Sequence, residues 1–194
     1  MKFRKRHYRA QVDTRDCGVA ALAMVLGYYG SYVSLATLRE KAKTTNDGTT
    51  ALGLVKVAEE LGFETRALKA DMTVFGMEEV SYPFIAHVLK DGKLLHYYVV
   101  TGYDKHSIHV ADPDPQVKMT KIPRERFAQE WTGITIFLAP SPAYKPSQEK
   151  KNGLLDFIPL LTKQKGLITN IVLATLLVTV TIFSPLLILM YLIS

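Results

Sequence analysis

The chain of 194 residues has a single cysteine, Cys17, and so lacks any internal disulfide. Its first ten residues, MKFRKRHYRA, also lack the long apolar stretch of a secretion signal. Disulfide frameworks and secretion signals are typical of proteins of oxidising compartments. Their absence therefore favours a reducing compartment. The apolar content of 48% is enough for a hydrophobic core without a disulfide.

Charge is missing from one part of the chain, residues 167–193. This run exceeds the roughly 20 apolar residues that cross a bilayer core, so we predict a transmembrane helix there. A buried helix of a soluble protein is the alternative, but such a helix is seldom this long and apolar on every side. The chain ends one residue later, which favours a piece of a longer polytopic protein over a single-span protein.

The distribution of charge predicts the orientation of this helix. Four lysines stand just before it and only Ser194 follows it, so the N-terminal part is expected on the cytoplasmic side of the cell membrane. The net charge of +6 lies wholly ahead of the helix. The basic residues are scattered among 18 acids without a repeated motif, which favours a solvated, lipid-facing surface over a partner nucleic acid.

The first third of the chain has the apolar spacing of helices. Helices are predicted over residues 17–29, from a Ser34 cap to Lys41, and over 52–61, where Gly62 ends the third. Strands are predicted afterwards over residues 63–68, 82–89, 94–103, 107–112 and 134–138, with a short helix over 124–130. Helices followed by an antiparallel sheet indicate an α+β fold.

Composition also predicts the boundaries of the domains. Residues 1–140 are expected to form the globular domain, and residues 141–153, rich in proline, serine and lysine, a linker. Residues 154–166 are apolar on one side and basic at their end, as in a juxtamembrane segment on a lipid surface. Residues 167–193 are the predicted membrane helix.

Cys17 stands at the start of the first predicted helix, with Thr14 or Asp16 available as the N-cap. The helix dipole at this position favours the thiolate, which is the nucleophilic form of cysteine. The alternative is a small buried hydrophobic residue, the usual role of a lone free cysteine. Position alone does not decide between these two interpretations.

A thiolate enzyme needs an imidazole beside the sulfur and a third group that orients the imidazole. Of the five histidines, His7 in the basic N-terminal arm and His106 in a turn are expected to be solvated. The other three lie on predicted strands: His87, His96 and His109.

The first predicted hairpin does not choose among them. A two-residue turn at Asp91-Gly92 would set Lys90 opposite Lys93, and His87 opposite His96 on one face.

The next turn favours His96. If residues 104–106 form a three-residue loop, Tyr103 pairs with Ser107 and Asp112 falls opposite Tyr98, on the face that carries His96. The two residues are then diagonal neighbours about 7–8 Å apart, within side-chain reach. A two-residue loop would instead turn Asp112 to the other face, so this step depends on the register.

Gln11 lies six residues before the cysteine. Its side-chain amide and the backbone N–H of Cys17 are suited to stabilise an oxyanion. The alternative for Gln11 is an exposed polar residue in an entry segment.

Four motifs follow one another along the chain. They are Gln11, Asp16-Cys17-Gly18-Val19-Ala20 opening a helix, His96-Tyr97-Tyr98-Val99-Val100 on a strand, and Asp112-Pro113 at the end of the next strand. Together they resemble the motifs of the papain-like peptidase domain of peptidase-containing ABC transporters, over about residues 7–140. These transporters export bacteriocins and competence-signalling peptides, and the resemblance is greatest to the streptococcal competence-peptide type.

The resemblance implies a catalytic role for each of these motifs. Cys17 would be the nucleophile, His96 the general acid and base, Asp112 the group that orients His96, and Gln11 part of the oxyanion hole. His87 would be a sheet residue without a catalytic role.

The resemblance also implies a substrate and partners. Family members cleave the leader of a precursor peptide after a Gly-Gly pair and export the rest, working as dimers. The expected partners are therefore this peptide, the lipid membrane and the remainder of a homodimeric transporter. The chain has no Gly-rich phosphate-binding motif, so ATP and Mg²⁺ are expected only in a nucleotide-binding domain outside it, and no cofactor within it.

Two other functions stay open at this point. One is a peptide-recruiting domain of an exporter that binds its cargo without cutting it. The other is an acyltransferase or isopeptide hydrolase on the same scaffold.

Overall fold

The computed structural model describes residues 2–78, 80–149 and 163–193. The chain forms two compact units that divide between Glu149 and Lys150. Three helices open the first unit after two short 3₁₀ turns, as the sequence predicts. They are α1 (Cys17–Tyr28), α2 (Leu35–Ala42) and α3 (Ala51–Glu60).

Side-chain caps begin the second and third helices. Ser34 Oγ accepts a hydrogen bond from the Thr37 N–H at the start of α2. Thr50 Oγ1 accepts one from the Gly53 N–H at the start of α3. These bonds satisfy N–H groups that have no partner inside the helix.

The rest of the first unit is a six-stranded antiparallel sheet in the order β1-β6-β2-β3-β4-β5. A short helix, α4 (Arg124–Glu130), precedes the last strand, and the α+β class is confirmed. The strands are β1 (Phe63–Lys69), β2 (Phe84–Lys90), β3 (Leu94–Tyr103), β4 (Ser107–Ala111), β5 (Met119–Pro123) and β6 (Trp131–Pro140).

The sequence did not predict β5, and it predicted β6 three residues too short at its start. In β5 only Ile122 is buried. An edge strand with one buried residue has too little apolar alternation to be recognised.

Hydrophobic cores lie on both faces of the sheet. One contains α1, which is buried almost all round, and packs it against Ile85, Tyr97 and Val99. The other packs Phe127 of α4 and Phe75 against Tyr98 and neighbouring residues. Alternate residues of β3 thus enter opposite cores, which brings the N-terminal end of α1 close to this strand.

The hairpin between β2 and β3 differs from the prediction. Lys90 pairs with Leu94, so the loop has three residues, 91–93, instead of two. His87 consequently lies opposite Tyr97, on the other face from His96, whose partner is Val88. A shift of one residue exchanges the faces of every side chain, and burial of Tyr97 and Val88 in different cores selects this register.

The hairpin between β3 and β4 also differs, although the face of Asp112 is the predicted one. Tyr103 pairs with Ile108 instead of Ser107. A β-bulge then shifts the register between Val100 and Gly102, and Val99 pairs with Ala111. Asp112 follows Ala111 and so lies beside Tyr98, because the bulge compensates for the longer loop.

Residues 141–149, the first part of the predicted linker, pack on the helices of the first unit. The Tyr144 hydroxyl donates to the Tyr29 carbonyl over 3.2 Å. The Glu149 carboxylate accepts from the Ser34 N–H and from the Thr37 hydroxyl. This stretch is therefore part of the folded unit instead of a free linker.

The second unit contains one described helix, α5 (Lys165–Ile193). Its part Lys165–Phe183 is long and apolar enough to cross a membrane, by length and composition. The rest of the predicted linker, residues 150–153, and most of the predicted juxtamembrane segment lie outside the described residues.

Candidate active site

Cys17 is the first residue of α1 and its side chain is buried, with 5% exposed. The thiol is also near enough to the His96 ring to raise the pKa of that ring. Both interpretations of the lone cysteine therefore describe part of its environment. It is packed in the core, and it meets an imidazole at the N-terminal end of a helix, where the helix dipole favours negative charge.

His96 is the histidine that the fold places beside the sulfur. It is buried on β3, with 2% exposed, and its Nε2 lies 2.6 Å from Asp112 Oδ1. Because Asp112 occupies Nε2, the remaining ring nitrogen, Nδ1, is the one available to Cys17. The ring of Tyr98 packs edge-on against the imidazole, with centroids 5.6 Å apart.

The surroundings of His96 favour its protonated form. Burial lowers the pKa of the ring, but the hydrogen bonds and negative charges of Asp112 and Cys17 outweigh burial and raise the pKa to about 9. The ring is therefore an imidazolium at neutral pH. A thiolate beside an imidazolium is the reactive state of a cysteine nucleophile.

Asp112 is buried, with 1% exposed, and both of its oxygens are hydrogen-bonded. Oδ1 accepts from His96 and from the Asp114 N–H, and Oδ2 accepts from the Lys90 ammonium at 2.8 Å. Burial raises the pKa of this carboxyl, but the bonds to His96 and Lys90 reverse the effect and the pKa falls below its ordinary value. Asp112 is thus a carboxylate at neutral pH.

Lys90 could not be recognised as a site residue from the sequence. Both Lys90 and Lys93 flank the predicted turn, and nothing in their local pattern distinguishes a buried ammonium from an exposed one.

Gln11 is tied to the loop that follows Asp112. Its backbone N–H donates to the Pro113 carbonyl at 2.9 Å. Its side-chain oxygen is buried and has no hydrogen-bond partner among the described residues. A buried polar atom without a partner is costly and is a common feature of a site that binds a ligand. A half-turn of the amide exchanges its oxygen for its NH₂ group, so the same side chain can present a donor.

Asp16 holds the segment between Gln11 and Cys17. Its fully buried carboxylate accepts from the N–H groups of Val12 and Asp13 and forms an ion pair with Arg39 of α2. Asp16 occupies the N-cap position of α1, as the sequence allowed, but makes no side-chain cap bond there. Its carboxylate fixes the entry segment instead.

A glycine follows the cysteine where space is short. A Cβ atom at Gly18 would lie 3.2 Å from both Thr49 Cβ and the Tyr97 ring. The Tyr97 hydroxyl donates to the Thr49 carbonyl. The loop before α3 and strand β3 thus close around the start of α1.

The other histidines have different surroundings. His7 was expected to be solvated but is buried, because Phe3 and Tyr28 pack edge-on against its ring. His87 Nδ1 lies 2.9 Å from the Thr132 hydroxyl. His109 pairs with Asp104, and His106 is exposed as predicted.

No three His, Cys, Asp or Glu side chains gather as a metal site among residues 2–78, 80–149 and 163–193. The arrangement of Cys17, His96 and Asp112 is instead suited to nucleophilic chemistry.

Comparison with known proteins agrees with this geometry. Residues 5–143 match the peptidase C39 family. The chain is 76% identical over 180 residues to the transport/processing ATP-binding protein ComA of Streptococcus pneumoniae strain R6, covering 93% of this chain and 25% of ComA. It therefore spans about a quarter of the length of the curated relatives it matches.

Solved structures show the same fold. The peptidase domain of Streptococcus ComA matches with a TM-score of 0.67 and 56% identity, covering 69% of this chain and 97% of that chain. A double glycine motif protease from an AMS/PCAT transporter, in complex with a leader peptide, matches with a TM-score of 0.60 and 29% identity, covering 68% and 89%. The chain belongs to the peptidase C39 family, and its first unit is a cysteine peptidase with a papain-like fold.

Proposed function

We propose that this peptidase cleaves the leader from a precursor peptide after a Gly-Gly pair, at the cytoplasmic face of the cell membrane. The observation that carries the proposal is the contact of Cys17 with His96, whose other nitrogen meets Asp112 at 2.6 Å. This set supplies the nucleophile, the general acid and the orienting carboxylate that peptide cleavage requires.

The proposed reaction begins when the Cys17 thiolate attacks the carbonyl carbon of the second glycine. The carbonyl oxygen becomes an oxyanion, which the Gln11 amide and the Cys17 backbone N–H stabilise. His96 gives its proton to the departing amine as the peptide bond breaks. Water, deprotonated by His96, then attacks the thioester, which frees the leader acid and restores the Cys17 thiolate and the His96 imidazolium.

The burial of the nucleophile supports a preference for glycine. Because only 5% of Cys17 is exposed, the scissile carbonyl must reach the sulfur through a narrow opening. Two residues without side chains enter such an opening with the least steric conflict. The structural relative described as a double glycine motif protease, bound to a leader peptide, supports the same substrate class.

The remaining functions belong to a longer protein. Relatives four times the length of this chain are named transport/processing ATP-binding proteins, which supports the export of the cleaved peptide by the longer protein. We propose that this transporter is a homodimer. ATP and Mg²⁺ would bind in a domain outside this chain. The apolar helix and the lysines before it support a membrane location with the peptidase in the cytoplasm.

The first test mixes the unit of residues 1–149 with precursor peptides that carry Gly-Gly. This unit corresponds to a relative's domain that crystallised on its own. Mass spectrometry should find cleavage after the second glycine. Replacement of that glycine by alanine in the peptide should lower kcat/KM by about 100-fold or more, because the methyl group must enter the narrow opening.

The matched control is Cys17→Ala, which removes the nucleophile and leaves the fold intact. We expect its turnover to fall by about 10⁴-fold or more. His96→Ala and Asp112→Ala should also lose most activity. Near-normal cleavage by Cys17→Ala would contradict the mechanism, and tight binding of the precursor without any product would indicate a peptide-recruiting domain instead.

A further inference from the structure

The side chain of Lys90 contacts one of the proposed catalytic residues, Asp112. Lys90 ends β2, and only 13% of its side chain is exposed. It stands two residues after Val88, the partner of His96, so Lys90 and His96 project from the same face of the sheet.

The ammonium of Lys90 meets two carboxylates of the loop after β4. Its Nζ lies 2.8 Å from Asp112 Oδ2 and 3.3 Å from Asp114 Oδ2. Asp112 Oδ1 already accepts from His96 and from the Asp114 N–H. With one oxygen bonded to His96 and the other to Lys90, the carboxylate cannot rotate without losing a charged hydrogen bond.

We propose that Lys90 is a positioning residue that holds Asp112 as a carboxylate with Oδ1 aimed at His96 Nε2. Lys90 has no role in contacting the substrate and acts through Asp112. The inference rests on the proposed function of Cys17, His96 and Asp112.

The charges of the site explain why a cation is needed beside Asp112. In the reactive state, Cys17 and Asp112 are each negative and His96 is positive, which leaves one negative charge in a buried site. Uncompensated buried charge is strongly unfavourable. The ammonium of Lys90 supplies the missing positive charge, directly on the oxygen of Asp112 that His96 does not use. The second carboxylate that Lys90 meets, Asp114, has 30% of its side chain exposed, so solvent screens its negative charge.

The same ammonium also stabilises the position of Gln11. Lys90 forms ion pairs with Asp112 and Asp114, the residues on either side of Pro113. The Pro113 carbonyl accepts the Gln11 N–H at 2.9 Å. One buried cation therefore fixes the loop that carries the orienting carboxylate and anchors the proposed oxyanion residue.

The test uses the full 194-residue chain in detergent micelles and a Gly-Gly precursor peptide. We expect Lys90→Met to lower kcat by about 10-fold or more while KM stays within about 2-fold, because the loss occurs after substrate binding. Lys90→Arg should recover kcat to within about 3-fold, since it restores the charge. The matched control is Lys93→Met, an exposed lysine of the same hairpin, which should keep normal kinetics.

A double-mutant cycle separates positioning from general stability. In an Asp112→Asn background, the same Lys90→Met change should have no further effect on kcat, because the group it acts through is gone. Equal losses in both backgrounds would overturn the proposal. If Lys90→Met fails to fold by circular dichroism, Lys90→Gln, which keeps hydrogen-bond donors without the charge, takes its place in the cycle.

The outcomes also distinguish this inference from the proposed function. If the unmodified chain does not cleave the precursor, the proposed function fails. If it cleaves and Asp112→Asn is slow while Lys90→Met retains normal kcat, only the role of Lys90 is rejected.

Discussion

The proposed catalytic chemistry depends on the ionisation of one residue, His96. Its ring is buried, which by itself would favour the neutral form. The hydrogen bonds to Asp112 and Cys17 reverse that preference and raise the pKa of the ring to about 9. The charged groups around it are Cys17 from α1, Asp112 after β4 and Lys90 of β2, with His87 on the opposite face.

The ionisation of His96 predicts how the cleavage rate depends on pH. The folded pKa of His96 lies above the ordinary value of 6.5, so the imidazolium is present below about pH 9 and is lost as the pH rises through that value. We therefore expect kcat/KM to fall above about pH 9. Measuring kcat/KM of the 1–149 unit at pH values below and above about 9 checks this prediction.

Alkylation by iodoacetamide provides an independent measurement, because Cys17 is the only cysteine of the chain. Below pH 8 the native protein should react faster than His96→Ala, whose thiolate lacks its imidazolium partner. The description of the site would be contradicted if kcat/KM already fell as the pH rose through about 6.5. Equal alkylation rates for the two proteins would also contradict it.

At the scale of elements, an ion pair joins α2 to the segment that leads into α1. Asp16 is fully buried, and Arg39 of α2 is its only cationic partner among the described residues. Arg15 stands one residue before Asp16, but pairs with Asp13 at the surface. Both arginines contact Asp13, but only Arg39 also forms an ion pair with the buried Asp16.

Replacing each arginine by methionine should therefore give different stabilities. Arg39→Met leaves the Asp16 carboxylate buried without a counter-charge. We expect a loss of about 2 kcal/mol of unfolding free energy, below the roughly 3–5 kcal/mol of a fully buried pair because Arg39 is partly exposed. Arg15→Met should leave stability unchanged, since exposed ion pairs contribute little.

Chemical denaturation of the two variants measures this difference. The hypothesis requires a lower midpoint for Arg39→Met than for Arg15→Met, with the same denaturant slope. Equal midpoints would mean that the backbone N–H groups of Val12 and Asp13 are sufficient to stabilise the buried Asp16 carboxylate.

The two hairpins show that the positions of strands can be predicted from the sequence but their pairing registers cannot. Alternation and the Asp91-Gly92 signal located β2 and β3 to within a few residues. The registers were wrong by one residue at both turns, because loop length depends on which core buries each face. Asp112 still faces the predicted side, since the bulge before Gly102 restores the pairing beyond it.

At the scale of the whole molecule, the chain consists of a folded peptidase unit and a separate apolar helix. The first unit ends at Glu149. The stretch Lys165–Phe183 has the length and composition of a membrane span, and none of its side chains is buried. An exposed apolar helix of this length is stable only when lipid or protein covers it.

Removal of this helix should separate membrane binding from catalysis. In a bacterial host, we expect the full chain in the membrane fraction and resistant to alkaline extraction. Residues 1–149 should stay in the soluble fraction and cleave the precursor with a kcat/KM within about 3-fold of the full chain in detergent. Recovery of the full chain in the soluble fraction would contradict a membrane span.

The sequence by itself determined the α+β class, the three helices, the position of Cys17 at a helix start and the apolar helix. These features are local, because the apolar spacing of helices and strands and the residues that end helices lie close together in the chain. Only the tertiary structure decided which histidine meets the sulfur, that His7 is buried, and that Lys90 bonds to Asp112. Such contacts join residues far apart in sequence, and they depend on strand registers that a single extra residue reverses.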